Sequence, residues 1–271
     1  MKHLHPHRTI LLNLLLLAAT NLSAQFSTTV KTDSSVTIGD KFEIYILTPA
    51  GFHPDSTYRL VFFLDANLRS GRLLRRMLTT DEFNQSLQRI IFVGVGHTGN
   101  YRPRRRRDFL LQEKKNEGRV DRIYARGQAD RFYSYLREEL YLSINSRYKI
   151  DPEKVSLLGH SYGGLFVVYC LFQQEPLFSN YFALSPSLWV RHHSIYKYNK
   201  IDSGFLNKKH LYFTAGTREQ LNKILPGTKR LKKYLDSSPF RGLDYEYTTW
   251  KRKKHFSALE PSLRKIFRDK L

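Results

Sequence analysis

From residue 41 onward, short apolar runs alternate with longer amphipathic ones. KFEIYIL (41–47) alternates apolar and polar positions, the period of a strand with one wet face. YRLVFFL (58–64) and RIIFVGV (89–95) are almost continuously apolar, as strands covered on both faces should be. KVSLLG (154–159), YFALS (181–185), HLYFTA (210–215) and DYEYTTW (244–250) complete the set of predicted strands. Between them, residues 128–148 place Ala129, Phe132, Tyr133, Leu136, Leu140 and Ile144 at spacings of three and four, one face of a helix. Further helices are predicted after Ser161, after Glu219 and after Glu260, where Pro261 suits a first helical turn. This alternation predicts an α/β fold, a mostly parallel twisted sheet with helices on both faces. Ligands of such sheets bind beyond the carboxyl ends of the strands. No internal repeat or low-complexity linker interrupts the pattern, so residues 25–271 are read as one domain.

The opening MKHLHPHRTILLNLLLLAATNLSAQ differs from all of this. A basic start, the apolar stretch Ile10–Ala19 and small residues ending at Ser23–Ala24 read as a secretory signal over residues 1–24. Its apolar core is shorter than the roughly 20 residues of a spanning helix, so a secreted or periplasmic protein without stable membrane insertion is expected. Cys170 is the single cysteine and cannot pair within the chain. It lies in the apolar helical run GGLFVVYCLF and is read as a small buried side chain rather than a nucleophile.

Charge narrows the partners. The formal net charge of +21 attracts anions, whether acidic surfaces or an anionic substrate. Two runs are dense, RPRRRRD at 102–108 and KRKKH at 251–255. Nucleic acid is not expected, because the first run has only Tyr101 as an aromatic neighbour and binding tracts interleave the two.

Candidate chemistry begins at GHSYG, residues 159–163, where a buried strand ends and a helix begins. A serine held on so sharp a turn projects its hydroxyl clear of the backbone, and glycines at 159 and 163 relieve the crowding around it. Gly164 would let the helix pack closely on the strand. Ser161 is therefore the candidate nucleophile. The backbone N–H of Tyr162 is a candidate oxyanion donor, with a second expected from Ala66 or Asn67 in the loop LDANLRSG. A serine needs a histidine to take its proton and a carboxylate to orient that histidine, in the chain order serine, acid, histidine. Of the later histidines, His210 opens a strand at the wrong end of the sheet, and His192 and His193 follow no strand of their own. His255, just past the last strand, is assigned as base. Glu219 is the one later carboxylate that follows a strand end, in FTAGTREQ, and is assigned as acid. Adjacent His192 and His193 point apart and have no partners at ligand spacing, so no metal site is expected.

FYSYLREELYLSINSRYKIDPEKVSLLGHSYGGLFVVYCLFQQEPLFSNYFALSPSLWV (132–190) resembles the approach helix, elbow and SPSxW segment of the esterase family of the α/β-hydrolase superfamily. That family takes in esterase D, the antigen 85 mycolyltransferases and siderophore esterases that open ferric enterobactin and salmochelin. FFLDAN resembles its LDG loop, with Ala66 where glycine is usual. FTAGTRE and the histidine of KKHFSALEPSL resemble the segments of its acid and base, although Phe256 stands where a small residue often follows the base. Arg107–Asp108 resembles a pair near the family's substrate mouth. The resemblance implies the three-layered α/β-hydrolase fold, a triad of Ser161, His255 and Glu219, and no cofactor. It implies substrate contacts from Arg107 and from Trp189 of the SPSxW segment, beside Lys253 and Lys254 next to the base.

Together these readings predict a serine hydrolase that cleaves a small-molecule carboxylic ester through an acyl-enzyme. The charge favours an anionic ester such as a ferric catecholate siderophore. Feruloyl or acetyl esters of polysaccharides and acyl transfer are the alternatives within enzymes. A non-catalytic basic binding protein is the alternative outside them.

Overall fold

A computed structural model describes residues 26–79, 87–112, 127–173, 176–201, 205–221, 223–237 and 240–271. The leader 1–24 lies outside the described residues. Among the described residues eight strands form one sheet: β1 (Phe26–Ser35), β2 (Asp40–Pro49), β3 (Tyr58–Leu64), β4 (Ile90–His97), β5 (Ile150–His160), β6 (Asn180–Leu184), β7 (Phe205–Gly216) and β8 (Arg241–Trp250). Their order is β1-β2-β4-β3-β5-β6-β7-β8. β1 and β2 form an antiparallel hairpin, β2 pairs antiparallel with β4, and every other pairing is parallel.

Helices cover both faces. They are α1 (Arg69–Met77), α2 (Tyr101–Phe109), α3 (Ala129–Ser134), α4 (Tyr141–Asn145), α5 (Tyr162–Leu171), α6 (Ile224–Ser237) and α7 (Leu259–Asp269), with a 3₁₀ stretch at Val190–Tyr198. Successive side chains of a strand point to opposite faces, and β3 divides accordingly. Leu60, Phe62 and Leu64 join the cluster built with Phe109, Phe132 and Phe166. Val61 and Phe63 join Leu74, Met77, Leu263, Ile266 and Phe267 from α1 and α7. The molecule is thus three-layered, with α1 and α7 on one face of the sheet and α2, α3 and α5 on the other. Cys170 lies wholly buried in α5, its thiol pushed well above the usual range by desolvation.

Besides α1, which the pattern reading does not include, three elements depart from it. β1, FSTTVKTDSS, has no apolar run because it is an edge strand paired on one side and largely exposed. The predicted helix 128–148 is interrupted by a π-helical turn, Tyr135–Leu140. That turn sets the Tyr135 hydroxyl on Asp33, at 2.9 Å, and the Glu139 carboxylate on the N–H groups of Val36 and Thr37, at 3.0 and 2.9 Å. The third is α2, which spans the arginine run and buries only Asp108 and Phe109. Ion pairs hold it instead: Arg104 and Arg107 to Asp40, Arg105 to Asp65, and Arg107 to Asp108. Among the described residues no helix is long and apolar enough to cross a membrane.

Candidate active site

The carboxyl ends of β3, β5 and β6 lead into residues with left-handed backbone: Asp65 at φ 57°, Ser161 at φ 62° and Ser185 at φ 42°. Non-glycine residues adopt this region at a cost, so their occurrence at three neighbouring strand ends singles out this end of the sheet as the candidate site. At Ser161 the strain follows from the reversal between β5 and α5. A Cβ on Gly159 would lie 2.4 Å from the backbone of Gly163, so the helix can start this close only over a bare Cα. At Gly163 itself the nearest atom would be 3.5 Å away, so relief of crowding resides at 159 rather than at both glycines. Gly164 sets α5 tightly against Pro186, where a Cβ would approach to 3.0 Å. The Ser161 hydroxyl shares a hydrogen bond of 3.3 Å with the Ser187 hydroxyl.

Glu219 and His255 reach this end from β7 and β8. Gly216 lets the two exit loops touch, since a Cβ there would lie 2.2 Å from the Lys253 carbonyl. Arg218 N–H donates to that same carbonyl at 3.0 Å. His255 Nδ1 then meets Glu219 Oε1 at 2.5 Å. The Glu219 carboxylate is fully buried. Its Oε2 accepts from the Ser185 hydroxyl at 2.8 Å and from Gly216 N–H at 2.5 Å. A buried carboxylate bonded on both oxygens is fixed in place, and the bond to Nδ1 leaves Nε2 as the basic nitrogen of His255.

His160 bridges the two halves. Its ring lies tilted against that of His255, centroids 4.4 Å apart and planes at 35°, and its Nε2 donates to the His255 carbonyl at 3.1 Å. Burial, and then the charge of His255, hold His160 well below the ordinary histidine range. Phe256 lies against both imidazoles, at 5.3 Å from His160 and 5.4 Å from His255. Arg69 covers the Phe256 ring at 4.5 Å.

Ser161 opens into a cavity of about 400 Å³ lined by Asp65, Arg69, Tyr101, Arg105, His160 and Phe256, among others. Arg105 grips the buried Asp65 with two bonds, of 2.6 and 2.7 Å, and lies over the rings of Tyr162 and Phe109. Tyr162 N–H heads the first turn of α5. Ala66 N–H is not available as its counterpart, because it donates to the Val95 carbonyl at 3.1 Å and extends the pairing of β3 with β4. Of the two expected donors, Asn67 N–H remains.

The expected substrate contacts divide. Arg107 does not line the cavity: its guanidinium is tied to Asp40 and Asp108, and Asp108 also holds His97 at 3.0 Å. The arginine of α2 that faces Ser161 is Arg105, two residues earlier. Trp189 is half-buried against Ala215, Ile224 and Leu225 and lines neither this cavity nor its neighbour. Lys253 and Lys254 are exposed beside His255, and Lys253 lines the neighbouring cavity. Sequence reasoning missed His160, Ser185 and Ser187, although the first adjoins the nucleophile and the others form the SPS of the SPSxW segment. His192 and His193 fall in the 3₁₀ stretch, and no cluster among the described residues could hold a metal ion.

Known proteins resemble this chain in sequence and in fold. Ferri-bacillibactin esterase BesA of Bacillus subtilis is 27% identical over 248 residues, 86% of this chain and 85% of its own. The crystal structure of BES protein from Bacillus cereus superposes with a TM-score of 0.74 at 26% identity, covering 89% of this chain and 93% of that one. Siderophore hydrolase EstB from Aspergillus nidulans shares the fold, with a TM-score of 0.70 at 18% identity over 92% of this chain and 95% of its own. The model of the family described as "Putative esterase" matches residues 35–265, and with that match spanning β2 to β8 and the Ser161, Glu219 and His255 loops, the chain belongs to this esterase family of α/β-hydrolase fold.

Proposed function

We propose that this protein is a serine hydrolase of carboxylic esters, with Ser161 as nucleophile, His255 as base and Glu219 as the carboxylate that orients it. In this reading the Ser161 hydroxyl turns from Ser187 to His255 Nε2, passes its proton there and attacks the ester carbonyl carbon. The N–H groups of Tyr162 and Asn67 receive the oxyanion. Collapse expels the alcohol, which takes the proton from His255. Water, deprotonated by the same imidazole, then releases the acid from Ser161. Both halves draw on side chains and backbone alone.

The observation that carries this reading is the 2.5 Å bond between His255 and the buried Glu219, on an imidazole in ring contact with the residue that precedes Ser161. The substrate we propose is a small anionic ester of the siderophore kind. BesA is named for ferri-bacillibactin, and arginines line the cavity that Ser161 opens into. With residues 1–24 read as an export signal, the reaction takes place outside the cytoplasm.

Ser161→Ala is expected to lower kcat on a p-nitrophenyl acyl ester by on the order of a million-fold. A fluorophosphonate should add one organophosphoryl group, found by mass spectrometry on Ser161. Turnover by Ser161→Ala near the wild-type rate, or the label on another residue, would remove the assignment.

A further inference from the structure

Beside the reaction cavity lies a larger one, of about 810 Å³, between α1 and α7. Its cations are Arg69, Arg72 and Arg76 of α1, Lys253 from the loop before His255, and Arg264 of α7. The α1 arginines recur at spacings of three and four and so share one exposed face. The opposite face, Gly71, Leu74 and Met77, is buried with Leu263, Ile266 and Phe267 of α7. The apolar packing of the two helices therefore fixes the backbone from which the cations project. The one acid lining the cavity, Glu260, is bonded to Arg264 at 3.1 Å. No carboxylate among the described residues forms an ion pair with Arg69, Arg72, Arg76 or Lys253.

The contrast with α2 is informative. There Arg104, Arg105 and Arg107 each have an aspartate. Like charges gathered without acids repel one another and concentrate a positive potential in the cleft they line. Planar guanidinium forks match carboxylate, phosphate and other two-oxygen anions. Arg69, Arg72 and Phe256 line both cavities. Phe256 is thus a partition, with the imidazoles of His160 and His255 and the Arg69 guanidinium against its ring. A molecule with its ester at Ser161 can extend past Phe256 into the groove.

We propose that the groove is a second subsite, which holds an anionic group of the substrate other than the acyl group under attack, and that Phe256 with Arg69 on its ring sets the spacing between the two. The ligand class is an ester that carries two or more anionic groups on one scaffold. This rests on the esterase reading, but the groove can be tested apart from it.

The non-hydrolysable probe is benzene-1,3,5-tricarboxylate, titrated calorimetrically into Ser161→Ala protein. Arg76→Glu with Arg264→Glu, which line the groove and not the reaction cavity, should in that background weaken it about ten-fold or more, the scale of a lost charge-assisted bond. In the active enzyme the same pair should raise KM for a polyanionic ester about ten-fold while kcat changes less than three-fold. Lys251→Glu with Arg252→Glu, equal in charge but outside the groove, should move KM far less. Phe256→Ala should lower the kcat/KM preference for the polyanionic ester over an uncharged aryl ester. Glutamine at 76 and 264 replaces glutamate if the charge reversal prevents folding. Equal tricarboxylate binding by both proteins, an unmoved KM, or an equal effect of the outer pair would overturn the proposal. If wild type cleaves neither ester, the esterase reading fails while tricarboxylate binding still reports on the groove.

Discussion

Two imidazole rings in contact cannot both carry a proton without repulsion, and burial decides between His160 and His255. His160 is enclosed, faces His255, and has the Arg105 and Arg69 charges nearby, all of which keep it neutral. In the proposed mechanism the proton taken from Ser161 would therefore reside on His255, whose Nδ1 already has Glu219. Unfolded, His160 regains the ordinary value of 6.5. Since its folded value is depressed, it has no effect on stability above that pH. Below it the unfolded chain takes up a proton that the folded one refuses, and stability falls by about 1.4 kcal/mol per pH unit from this residue. His160→Gln should lose that component, read as a smaller difference in urea midpoint between pH 7.5 and pH 5.5. Ser185→Ala should lower kcat about ten-fold with little change in KM, because the bond it removes orients Glu219 and touches no substrate. The loops that carry Ser161, Glu219 and His255 were legible from single residues, since a sharp turn after a buried strand and loops leaving later strands are local features. The positions of His160 and Ser185 against them were not, because each depends on a partner 34 or more positions away. Nor could the sequence separate Ala66 from Asn67, a choice made by one extra sheet bond to Val95.

Among the elements, α1 and α2 are both rich in arginine and are held in opposite ways. α1 has an apolar stripe and leaves its cations unmatched, whereas α2 is fastened by its cations. Arg105→Leu leaves the buried Asp65 charge alone and should cost about 3–5 kcal/mol in chemical denaturation. Arg102→Gln, on the exposed side of the same helix, should stay within about 0.5 kcal/mol. The π-helical turn offers a parallel case on the β1–β2 hairpin. Burial alone would raise Glu139, but bonds from Thr37, Val36 and Ser35 outweigh it and hold the carboxylate below its usual value. Its stabilisation is present above the unfolded value near 4.5 and is lost as pH falls through the lower folded one. Glu139→Gln should loosen the hairpin at neutral pH, seen as faster amide exchange of Val36 and Thr37. Apolar periodicity made β2 to β8 legible but could not reveal β1, whose residues alternate among polar types, or α2, whose anchor is electrostatic.

At the scale of the molecule, the excess of positive charge is sorted by location. On one side of the reaction cavity arginines are neutralised, and on the other they face solvent. Association of an anionic ester should be salt-sensitive, with kcat/KM falling between 50 and 300 mM salt as the screening length shrinks below about 10 Å. An uncharged aryl ester should show no such decline, and parallel curves for the two would show that the field does not reach the substrate. The alternation of strands and helices announced the layered sheet, but not the order β1-β2-β4-β3-β5, in which β4 lies between β2 and β3. That order depends on crossovers whose sequence carries no periodic signal. Cys170, sealed inside α5, has a further use: the chain supplies a thiol-silent background for site-directed spectroscopy. A cysteine introduced by Ser257→Cys, on the rim of the arginine groove, should be the sole site that a maleimide dye or spin label modifies in the folded protein. Its signal would then follow groove occupancy in real time, without any second cysteine to remove.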